Sequence, residues 1–133
     1  MVKIASFYFL VGVVMGMAMS MTSNFSLTPV HVHLNLIGWV SMALGGIVYH
    51  LFPAATKRLG KLHFWMHNLG VPFMMGGLAA YTFGAPSFII AMIPLGGTLI
   101  VVGTLLFFIN VLRNVKSSQE AFIPSASRQV NQQ

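Results

Sequence analysis

Five histidines carry almost all the ligand chemistry this 133-residue chain possesses, because it has no cysteine and its one acidic side chain is Glu120. His31 and His33 stand two positions apart in "TPVHVHLNLIGW". Two residues along a helix amount to about 200° of rotation, so their imidazoles point to nearly opposite sides. A single iron or zinc ion is not held by both from one regular helix; the pair serves two neighbours or none. On the residues alone they read equally well as ligands to a metal or heme and as polar rings at a membrane interface. Asn35 lies one turn below His31, and Gly38, Gly45 and Gly46 leave room on the same helix for another helix or a flat ligand. His63 and His67, four apart, share one helical face at a spacing that can chelate a metal, but no carboxylate or thiolate completes the set. His50, beside Tyr49, reads as an interfacial ring. Met15, Met17, Met19, Met21, Met74 and Met75 could in principle supply thioether ligands to heme iron; adaptable packing is the expected role. The absence of cysteine excludes disulfides, iron–sulfur clusters, thiolate ligation and covalent heme attachment.

These residues must be positioned by membrane helices. Charged residues make up 6% of the chain and hydrophobic ones 56%, whereas roughly a quarter of a soluble domain is charged. Four apolar runs, about Ile4–Met21, Pro29–Phe52, Leu62–Phe83 and Phe88–Leu112, are each long enough for a hydrocarbon core of about 30 Å. The expected fold is therefore an all-α integral membrane bundle of four transmembrane helices over residues 1–116, followed by a polar tail, 117–133. Thr28 and Pro29 predict an N-cap and a first-turn proline. Pro53 and Gly60 are expected to end the second helix and turn the chain, and Pro72 and Pro94 to kink the helices that contain them. The first run has the basic start of a signal peptide, but its apolar stretch exceeds the 7–15 residues of a signal core, so it is read as a helix.

The formal charge of +6 does not indicate nucleic-acid binding, because the cations lie in short clusters between apolar runs. Lys3, then Lys57, Arg58 and Lys61, then Arg113, Lys116 and Arg128 all fall on one side of four crossings. The loops "TSNFSLTP" and "GAPS" on the other side carry no charge. The positive-inside rule then makes both termini cytoplasmic, in a multi-pass protein of a bacterial inner membrane, with His31 and His33 near the outer face.

The stretch "VHVHLNLIGW…YHLFP…RLGKLHFWMHNLGVPFMMGGL" resembles the catalytic subunit (subunit I) of heme–copper oxidases and nitric-oxide reductases, over about Pro29 to Leu78. That family has a His-x-His pair near the outer end of its tenth helix, an aromatic–Phe–Pro exit, and an eleventh helix opening on "HFW". The resemblance implies that His31 matches the ligand of the high-spin heme and His33 that of the low-spin heme, with Asn35 and Gly38 beside the cofactor. It also implies that His63 is not a heme ligand. Family members have twelve helices in three four-helix arcs. This chain is one arc long, so the resemblance implies a homotrimer in which His31 of one subunit and His33 of the next hold one iron. Departures from the family are equally specific. Histidines for copper have no counterpart, the arginine pair at the outer heme face is replaced by "YTFGAPS", and acidic proton-channel residues are missing. Copper, proton pumping and efficient oxygen reduction are not expected.

The leading expectation is a heme b (iron) cytochrome with bis-histidine ligation, for electron transfer or for redox or gas sensing, with a redox partner the sequence does not name. The alternatives are a small oxygen or nitric-oxide reductase with an open heme site, and a heme carrier or cofactor-free assembly protein.

Overall fold

The computed structural model describes residues 1–115; Lys116 and the tail 117–133, with Glu120 and Arg128, lie outside them. The described residues are helical with no strand. The helices are α1 (Val2–Thr22), α2 (Thr28–Leu51), α3 (Arg58–Thr82) and α4 (Ser87–Asn114), with a short 3-10 turn at Pro53–Thr56 between α2 and α3. Three of them, α1, α2 and α4, are long and apolar enough to cross a membrane. The 25-residue α3 is as long, but Arg58, Lys61, His63, His67 and Asn68 crowd its first half and lower its hydropathy.

Several local expectations change. Thr28 is not an N-cap: it is the first helical residue, and its hydroxyl donates back to the Phe25 carbonyl at 2.6 Å. Gly60 does not end a helix. It lies in the first turn of α3, where the Ala55 carbonyl occupies the space a Cβ would need. α3 continues through Pro72. Pro94 does more than kink α4, which is interrupted at Ala91 between Ser87–Ile90 and Met92–Asn114. Proline lacks the N–H that would bond the Ile90 carbonyl, and its ring crowds that carbonyl. Helix α1 stops where Ser23 turns left-handed (φ 51°), and Gly84 (φ 72°) turns the chain between α3 and α4.

Neighbours in sequence pack antiparallel. Val2 and Met1 lie on Gly46 and Tyr8 lies on Gly38, pairing α1 with α2, while Gly70, Gly77, Gly96 and Gly103 pair α3 with α4. At Gly96 a Cβ would run into the Met74 backbone N and the Gly70 carbonyl, so these two helices touch backbone to backbone. Val30, Leu34, Val71, Met74, Met75 and Ile100 form the main core. The pairing gathers Lys3, Lys57, Arg58, Lys61 and Arg113 at one end of the bundle, and both uncharged turns at the other. Large apolar side chains are exposed on every helix, among them Phe7 (61%), Leu36 (57%), Trp65 (59%) and Phe108 (58%). A soluble monomer rarely presents such a continuous apolar surface; lipid accepts it.

Candidate functional site

Helix α2 widens at its centre. Leu34–Ser41 is a π-helix eight residues long, framed by regular α-helix before and after. Such segments are rare and recur at functional sites, because the wider turn changes which carbonyls are free. Here the Met42 N–H bonds the Trp39 carbonyl, and the Ile37 carbonyl accepts a 2.9 Å hydrogen bond from His67 Nε2–H of α3.

At the uncharged end, just before this segment, His31 and His33 diverge as their spacing requires. The half-buried His31 ring faces α1 in its own chain, where Nδ1–H donates to the Gly12 carbonyl at 2.9 Å. Its Cε1 lies 2.7 Å from where a Cβ on Gly16 would stand, so Gly12 and Gly16 make the trough that receives the ring. His33 points away from that trough, and its Nδ1–H donates to the Pro29 carbonyl one turn earlier at 2.7 Å. Carbonyl oxygens only accept, so both rings carry their proton on Nδ1 and present the Nε2 lone pair. Among the described residues neither Nε2 has a hydrogen-bond partner. A backbone carbonyl on one ring nitrogen is how ligating histidines are commonly oriented and made more basic. The donor chemistry therefore fits an iron ligand at both positions.

Asn35 donates to the His31 carbonyl at 2.9 Å and fills the space over Gly12, bracing the His31 turn against α1. Gly38 does not leave an open slot for a cofactor. Tyr8 of α1 lies 3.1 Å from the position of its missing Cβ, while His63 and Met1 approach Gly45, and Met1 and Val2 approach Gly46. The groove expected from these three glycines is filled by the chain itself, because α1 docks along that face of α2.

A second polar cluster, near the basic end, is deeply buried. His63 and His67 are 3% and 2% exposed, and Asn110 of α4 is 1% exposed. Tyr49 Oη lies 2.8 Å from His63 Nδ1, and Asn110 donates to the Ala55 carbonyl at 2.7 Å and to Tyr49 Oη at 3.5 Å. The two imidazoles meet edge to face, 5.5 Å between ring centres. Sequence reading missed Asn110; its signal was a lone amide inside the last apolar run. Among the described residues no three His, Cys, Asp or Glu side chains come together. His50 is exposed at the end of α2, in a groove with Lys3 and Tyr49. Comparison of the chain with family models, with curated proteins and with solved structures gives no match.

Proposed function

We propose that this protein is a heme b membrane cytochrome, related to subunit I of the oxidases and working in electron transfer or in redox or gas sensing. His31 and His33 would supply the axial imidazoles. What carries the reading is that both rings hand Nδ1–H to a backbone carbonyl, at Gly12 and Pro29, and keep Nε2 free. The rings face opposite sides of α2, so His33 serves a neighbouring copy and His31 serves the α1 side of its own chain. A ring of three such chains lets each interface draw one imidazole from each partner. When bound, heme would supply a one-electron couple, and gas sensing would require one of the two imidazoles to release the iron. The protein's part is to hold the two nitrogens. Asn35 and the trough at Gly12 and Gly16 fix the His31 ring, and the Pro29 carbonyl fixes the His33 ring.

In the bilayer, α3 is the fourth crossing. Its buried histidines are matched internally by Tyr49 and Ile37, which lowers the penalty of its polar first half. The gathering of Lys3, Lys57, Arg58, Lys61 and Arg113 at one end supports a cytoplasmic side for that end, in a bacterial inner membrane, under the positive-inside rule. Reporter fusions at Ser26 and Ser87 are expected to read as external; a cytoplasmic signal at either would reverse the depth of the histidine pair.

One observation favours a second reading. The His31 ring edge is pressed against Gly16, so ligation by His33 alone would leave the opposite axial position open, as a small oxygen or nitric-oxide reductase needs. An absorption spectrum of the purified protein separates the two. Sharp α and β bands after dithionite, unmoved by carbon monoxide, are expected. A high-spin spectrum shifted by carbon monoxide selects one-sided ligation, and absence of a Soret band rejects heme altogether.

A further inference from the structure

Lys3, Lys57, Arg58, Lys61 and Arg113 share one end of the bundle, and no Asp or Glu stands among the described residues to neutralise them. At a membrane–water interface such an excess attracts anionic headgroups. At one place it also frames a cavity. Lys3, in the first turn of α1, and His50, in the last turn of α2, line a groove of about 480 Å³, and both are exposed. The floor between them is apolar. Met1 and Val2 rest on Gly46, which has no side chain to raise it, and Tyr49 turns its hydroxyl inward to His63.

The groove continues away from the charged end as hydrocarbon. Seven residues along α1 from Val2, Phe9 stacks on Trp39 with 5.0 Å between ring centres, and Trp39 stands seven residues before Gly46 on α2. A seven-residue step returns a side chain to nearly the same helical face. The same flank of the α1–α2 seam therefore runs down an apolar stripe, on which Val2, Phe9 and Val13 are all exposed.

A positive rim above an apolar stripe matches a phosphate ester joined to acyl chains. A soluble anion would use the rim and leave the stripe bare, and an uncharged acyl chain would leave Lys3 unmatched. A choline headgroup would set its own fixed cation against Lys3. We propose that this groove binds an anionic phospholipid of the bilayer, with its phosphate between Lys3 and His50 and an acyl chain along Val2, Phe9 and Val13. Lys3 reaches the phosphate as a point charge on a flexible stem, and the His50 ring gives an N–H to a phosphate oxygen. The site rests on the membrane reading of the helices and is independent of the heme pair.

The test offers full-length protein in a maltoside detergent either dioleoyl phosphatidylglycerol or dioleoyl phosphatidylcholine, and reads bound lipid per chain by native mass spectrometry. Saturable retention of phosphatidylglycerol is expected, about fivefold above phosphatidylcholine. Lys3→Gln should lower it by about the same factor, and His50→Gln should lower it in the same direction. Both changes are at exposed positions, so an unchanged thermal transition is the check on folding. Arg113→Gln removes a cation from the same end but outside the groove, and should leave retention within about twofold of the parent. An equal loss in Arg113→Gln would mean diffuse charge attraction and overturns the proposal. Equal retention of the two lipids, or binding unchanged in both groove variants, overturns it as well. Glycerol 3-phosphate is the third probe: displacement of the lipid by this soluble ester would assign the groove to a free phosphate and sink the lipid. Heme absorbance is read on the same samples. Selective lipid retention by heme-free protein supports the groove while counting against the heme, and heme-loaded protein without lipid selectivity counts against the groove alone.

Discussion

His33→Ala is expected to remove heme from the purified protein almost completely, as is His31→Ala, while His50→Ala and His63→Ala retain it. An iron–imidazole bond has no thiolate substitute, since the sequence contains no cysteine. On the proposed reading, loss of one imidazole would leave the heme held from one side and would remove a bridge between subunits. His33→Ala changes little else, because that ring bonds only the Pro29 carbonyl of its own helix, and folding should be within about 0.5 kcal/mol of the parent. The measurement is heme per polypeptide from the pyridine hemochrome spectrum. Full occupancy in His33→Ala with an unaltered spectrum would remove the most specific element of the functional reading.

The second large effect belongs to the α3–α4 contact. Gly96→Ala should destabilise the bundle by about 2–3 kcal/mol, toward the upper end for overpacking, because the new methyl meets backbone atoms of Met74 and Gly70 that cannot rotate aside. Gly97→Ala is the matched control one residue away. Its Cβ would meet nothing closer than Met74 Sδ at 3.9 Å, so the helix-propensity gain of up to about 1 kcal/mol should appear instead. Adjacent glycines in one helix are thus expected to shift the thermal transition in opposite directions. A common shift for both would mean that the helices do not touch at Gly96.

The apolar runs announced the helices, and the uncharged and basic loops announced which ends share a side. Both signals are additive over many residues and survive local error. Features that depend on one contact were not legible. The π segment Leu34–Ser41 depends on bonds five residues apart and leaves no apolar periodicity of its own. Gly38, Gly45 and Gly46 were recognisable as a close-approach face, but small residues do not say what approaches, and the answer is Tyr8, Met1 and Val2 of the same chain together with His63. The four-residue spacing of His63 and His67 marked a shared helical face but not what covers it. Their burial follows from contacts distant in sequence: Tyr49, itself bonded by Asn110, meets His63, and the Ile37 carbonyl accepts from His67. The divergence of His31 and His33 was legible, because a two-residue spacing fixes it whatever surrounds the helix.

The central claim, that one iron draws His31 from one subunit and His33 from the next, is tested most directly by mixing subunits. Neither His31→Ala nor His33→Ala alone can form a complete ligand pair. Co-expressed with different tags and purified through both, they assemble rings in which a His33→Ala chain lends His31 to a His31→Ala neighbour that still has His33. Such a link is head to tail and closes only as a ring. In a ring of three that holds both kinds of chain, about one interface in three regains both imidazoles. The account predicts partial recovery of heme toward that fraction, with a low-spin spectrum like the parent's. Mixed assemblies as empty as either mutant alone, or a native mass showing a monomer that retains heme, would contradict it.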